Sequence, residues 1–220
     1  MSTSHHHPHL TAKPLLRGVS HQWGAIVFGV LGLILIVETP ASGRLSVVIY
    51  VVCITTMLGT SALYHRVPWR EAANARMQKA DHTGIFLAIA GTYTPIAVIA
   101  LDGWTQWALI VPIWILAVAG ITLEWLPFKP PRGYVTAVYI TMGWIAVFAM
   151  PAVWNELSPT GFALLLGGGL LYTIGAFVHA FKWPDPWPRV FGFHEIWHVF
   201  VLAAAALHFA CIAFVVVPLA

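Results

Sequence analysis

The chain has 220 residues, 59% of them apolar and only 9% charged, with a net charge of +3 and two cysteines. So few charges cannot cover a water-soluble domain, where about 25% is usual, and this excludes a soluble enzyme or a separate soluble catalytic domain. Two cysteines also exclude a disulfide scaffold and a thiolate metal cluster.

In chain order, residues 1–18 read as a polar tail, expected to be disordered, and residues 19–220 as one membrane domain. The tail histidines His5, His6, His7 and His9 are assigned no part in the fold. A helix needs about 20 mostly apolar residues to cross a bilayer. Seven stretches satisfy this, at 21–37, 45–65, 82–101, 104–123, 133–150, 160–181 and 194–217. The expected fold is therefore an all-α, seven-helix bundle. The first span follows about 20 polar residues and lacks a small-residue cleavage site, so it is not read as a cleaved signal peptide.

Local features annotate these spans. Arg66 to Lys79 reads as a positively charged loop or an interfacial helix, and Pro95 should kink the third span. Gly167, Gly168 and Gly169 should permit close helix packing. Cys53 and Cys211 are assigned packing roles. Trp23, Trp69, Trp104, Trp107, Trp125, Trp154, Trp183 and Trp187 fall near span ends, where an aromatic belt is expected.

Basic residues sort by side. Lys13, Arg17, Arg66, Arg70, Arg76, Lys79, Lys129, Arg132, Lys182 and Arg189 share one face if there are seven spans, and Arg44 alone takes the other. The positive-inside rule then places the N-terminus in the cytoplasm and the C-terminus outside. The expected location is a cell membrane, crossed several times, of the bacterial inner-membrane kind. Nucleic-acid binding has no support beyond this excess charge.

Ionisable groups at membrane depth are costly and point to function. Of the histidines outside the tail, His21, His65, His82, His179, His194 and His198 fall at the expected cytoplasmic ends, and only His208 lies deep. His194-Glu195-Ile196-Trp197-His198 puts two imidazoles one turn apart on a helical face, where both can reach one ion. The blander reading is two interfacial histidines bonded to water or backbone. His65 ends the second span at the same depth, with Ser61 one turn deeper. Ser61 either holds a ligand or water, or bonds back to its own helix. Asp81 opens the third span as either an N-cap or a catalytic acid. Three histidines and a carboxylate at one depth fit a catalytic zinc site with its fourth position open. His208 lies about 15 Å deeper by helical rise and reads as a packed or hydrogen-bonded histidine.

These elements together resemble the hemolysin III family, whose wider relatives are the progestin and adipoQ receptors and the alkaline ceramidases. The resemblance rests on Ser61-x-x-x-His65, Asp81 and His194-x-x-x-His198. His21-x-x-Gly24, Asp81-His82-x-x-Ile85 and Ala90-Gly91-Thr92-Tyr93-Thr94-Pro95 extend it over nearly the whole chain from about residue 17. It implies zinc held by His65, His194 and His198, with Asp81 and Ser61 beside it as the catalytic pair. Glu195 is given no metalloprotease role, because the shared pattern is only His-x-x-x-His. The ceramidase relatives hydrolyse a lipid amide, so one implied function is a zinc-dependent hydrolase acting on an acyl lipid of the membrane. A receptor-like or membrane-homeostasis protein with structural zinc is the second. A pore-forming cytolysin, as the bacterial name suggests, is the third and has least support in so conventional a set of spans.

Overall fold

In lipid, backbone N–H and C=O groups must be bonded within their own segment, so long apolar runs fold as helices. The computed structural model describes residues 13–127 and 134–220. Helices α1 (Val19–Glu38), α2 (Ala41–Arg66), α3 (Glu71–Ala100) and α4 (Gly103–Trp125) follow one another through short turns. The fifth span, Thr136–Glu156, is broken. It consists of α5 (Tyr134–Gly143), a 3-10 turn (Ile145–Ala149) and α6 (Met150–Glu156). Helix α7 (Pro159–Phe181) and α8 (Phe193–Cys211) complete the set, with α8 extended by a π turn (Ile212–Val216). Among the described residues seven helices are long and apolar enough to cross a membrane, as expected, and the chain is a multi-pass membrane protein.

Successive helices α1 to α4 pack as neighbours, α7 packs on α8, and α8 returns to α1, so the ends of the chain meet. Helices α2 and α3 approach each other closely. A Cβ on Gly84 would lie 2.8 Å from the Met57 Cα, and one on Gly91 would lie 2.5 Å from the Cys53 Cβ. Only glycine permits that approach, and small residues are what bring helices together in lipid. Cys53 and Cys211 are buried and free, in keeping with packing roles.

Three expectations change. Helix α3 begins at Glu71 rather than near residue 82, because Ala72, Ala73, Ala75, Met77 and Ala80 favour a helix although the segment is too polar for a span. At about 45 Å by helical rise, α3 overruns a hydrocarbon core of about 30 Å. The segment from Arg66 to Lys79 is thus mainly the projecting start of α3. Asp81 consequently lies inside the helix, whose N-cap position is Arg70, so the N-cap reading of Asp81 is wrong.

The fifth span also departs from a continuous helix at 133–150. Pro151 lacks an N–H and its ring opposes a helical residue before it, so α5 cannot run unbroken into α6. Tyr93, from α3, attends to the break. Its hydroxyl donates to the Gly143 carbonyl at 2.7 Å, with the Met142 carbonyl at 3.2 Å, and accepts from the Ala146 N–H at 3.2 Å. By contrast α3 remains helical through Pro95.

Residues 1–12, with the tail histidines, and residues 128–133, with Lys129 and Arg132, lie outside the described residues. The last part of the expected disordered tail is ordered. The N–H groups of Leu15 and Leu16 donate to the carbonyls of Arg189 and Val190, each at 3.1 Å. This segment therefore crosses the same end of the bundle as the connection between α7 and α8.

Candidate metal centre

Each candidate side chain is held by a specific feature of its helix. His65 stands in the last turn of α2, against Gly18, whose φ of 76° turns the chain into α1. A Cβ on Gly18 would lie 2.7 Å from the His65 Cβ, so that left-handed glycine lets the entering chain close over the histidine. The start of α8 is fixed twice. Glu195 accepts from the Gly192 N–H at 2.7 Å, and Asp185 accepts from the Phe193 N–H at 3.0 Å. Glu195 also pairs with Arg17 from the segment before α1 and is only 2% exposed. Its work is to anchor the first turn of α8, which accords with giving it no metalloprotease role.

The anchored turn presents His194 and His198 to His65. One nitrogen from each of these three residues lies within 4.8 Å of the others. The Nε2 atoms of His194 and His65 are 3.2 Å apart. Nitrogens bound at about 2.0–2.1 Å to one tetrahedral zinc lie about 3.3–3.4 Å from each other, so this pair already has the required spacing. His198 is buried and its Nδ1 has no hydrogen-bond partner. An all-imidazole set on three buried or half-buried side chains suits a transition metal of the zinc type and not calcium or magnesium, which take oxygen ligands. The donor set fits the ion.

Asp81, on α3, brings its Oδ2 to 3.8 Å from the His65 Nε2. Ser61, one turn before His65 on α2, is buried and lies close to the Asp81 carboxylate. The five candidate residues Ser61, His65, Asp81, His194 and His198 are thus gathered from α2, α3 and α8.

Two further histidines join them. His21, on α1, stacks on His198 with ring centroids 3.8 Å apart and 12° between planes. Both its ring nitrogens are buried without a partner. The His179 ring lies 5.2 Å from that of His194. Neither had an assigned role: His21 stood only in the His21-x-x-Gly24 match, and His179 was marked only by its depth. His82 goes elsewhere, its Nδ1 lying 2.9 Å from Glu124 Oε1. His208 is hydrogen-bonded deep in the bundle, its Nε2 being 3.0 Å from the Leu165 carbonyl.

Below the histidines a cavity of about 500 Å³ runs into the bundle, lined by Ile89, Leu109, Val153, Phe162 and Leu165 among others, and it reaches His208. That volume is in the range of small-molecule sites, about 300–1,000 Å³. The arrangement sets a carboxylate and three imidazoles that could hold a metal at the head of a largely apolar cavity.

Comparison with known proteins follows the same lines. The family described as "Haemolysin-III related" matches residues 10–209. The chain is 34% identical over 216 residues to Hemolysin-3 of Bacillus cereus, covering 94% of both proteins. It is 34% identical over 155 residues to the Hemolysin-3 homolog of Bacillus subtilis (strain 168), covering 70% of each. It is also 28% identical over 171 residues to the Adiponectin receptor protein of Drosophila melanogaster, covering 69% of this chain and 38% of that one.

Proposed function

This chain belongs to the haemolysin-III related family, and from that premise we propose that it is a zinc-dependent membrane hydrolase cleaving an amide or ester bond in a membrane lipid. The observation that carries the reading is the joint placement of the three histidine nitrogens, the Asp81 carboxylate and the head of the apolar cavity. The basic excess at the histidine end supports a cytoplasmic site and N-terminus, and the Bacillus relatives favour a bacterial membrane.

His65, His194 and His198 would hold the zinc, which when bound supplies Lewis acidity for a carbonyl and acidifies water. Asp81 orients the attacking water and accepts its proton at the carboxylate. Ser61, close to that carboxylate, would steady it through its hydroxyl. The lipid chain lies in the cavity, where apolar walls exclude bulk water. The carbonyl is thereby held at the histidine end, and substrate enters from the bilayer.

Purified, zinc-loaded protein should hydrolyse a ceramide or another acyl lipid. Asp81→Asn should lose about 100-fold in rate while keeping its metal. Absence of turnover on every acyl lipid, with wild type and His65→Ala alike, would refute the hydrolase.

A receptor-like reading draws on the name of the Drosophila relative. In that case zinc braces the helices, and chelation lowers the melting temperature with no turnover to lose. The name of the Bacillus relatives suggests lysis. Its signature would be liposome leakage caused by added protein and independent of the three histidines.

A further inference from the structure

The deep end of the cavity is not wholly apolar. His208, on α8, is ten residues beyond His198, or about 15 Å by helical rise. The Leu165 carbonyl can only accept, so the 3.0 Å contact assigns the ring proton to Nε2. Nδ1 is left as an acceptor, and it is buried without a partner. Gly168 makes the placement possible, because a Cβ there would collide with the imidazole. Tyr172, one turn further along α7, lies with its ring 5.6 Å from that of His208. Its hydroxyl makes no hydrogen bond among the described residues, and both side chains line the cavity.

An acceptor and a donor left unpaired in an apolar setting are both destabilising, and a partner would relieve part of that. One group satisfies both at once: a hydroxyl, which donates to the imidazole nitrogen and accepts from the phenol. We infer that His208 and Tyr172 form a hydroxyl subsite, selecting lipids that carry a hydroxyl part-way along the acyl chain. This rests on the reading that the cavity holds an acyl chain with its carbonyl at the histidines. Water offers the same chemistry, and the test separates the two sources.

Binding of stearate and of a hydroxystearate with its hydroxyl near mid-chain is measured on the purified full-length protein, by displacement of a fluorescent fatty acid. Wild type should prefer the hydroxystearate roughly three- to tenfold, the worth of one net hydrogen bond. Tyr172→Phe, which keeps the ring, and His208→Leu should each bring the ratio near one. Equal binding by wild type overturns the subsite and leaves the position to water alone. A preference that survives in both variants also overturns it. If neither lipid binds, the acyl-chain reading falls and the subsite falls with it.

Discussion

Helices α2 and α3 and the broken fifth span meet the bilayer on opposite terms. In α2 and α3, 56% and 67% of the most apolar stretch is buried, against 11% in the fifth span. The first pair is drawn together by Gly84 and Gly91 and carries Ser61, His65 and Asp81. The fifth span is divided, and its freed backbone groups are met by the Tyr93 hydroxyl. The first region supplies chemical groups, which lose effect when misplaced by 1 Å or so. The second supplies cavity wall through Gly143, Ala146 and Val147, where only shape and dryness matter. Rigid packing is concentrated where groups must be aimed, and the wall is left with little packing to hold it.

Three substitutions test this division and the anchor of α8 that adjoins it. The largest effect should come from Arg17→Ala, which leaves Glu195 charged and buried beside the histidines. Breaking such a pair costs about 3–5 kcal/mol, read as a large fall in melting temperature, and adding Glu195→Gln should restore part of it. Next is Gly84→Val, which forces α3 off the backbone of α2 and should cost about 1–3 kcal/mol and weaken metal retention. Gly59, on α2, has open space around it, so Gly59→Ala should leave melting and metal content unchanged. If Gly84→Val is equally silent, the glycine seam does not hold the site. Smallest is Tyr93→Phe, at about 1 kcal/mol. It should speed amide exchange at residues 142–146 and leave metal content intact. Loss of metal in that variant would contradict the separation of the two regions.

The spans were legible because each is a long apolar run, and alternating ends put His65, His194 and His198 at one depth. Asp81 lies 3.8 Å from His65, at the shared depth, but inside α3 and not at its start. Hydropathy ends a span where charge begins, whereas α3 continues through ten polar and alanine-rich residues, Glu71 to Ala80. Pro151 was visible in the sequence, yet the partner that makes the break tolerable, Tyr93, comes from another helix. The His21–His198 stack and the Arg17–Glu195 pair depend on α1 closing against α8. Nothing local in sequence encodes a contact between the two ends of a ring of helices.

The central claim is that His65, His194 and His198 bind one transition metal. Its most direct test is the metal content of purified wild type against His198→Ala, by elemental analysis. The account predicts about one zinc per chain in wild type and almost none in the variant, since three ligands are the least that hold such an ion firmly. Wild type without a transition metal, or a variant that retains it in full, would contradict the assignment.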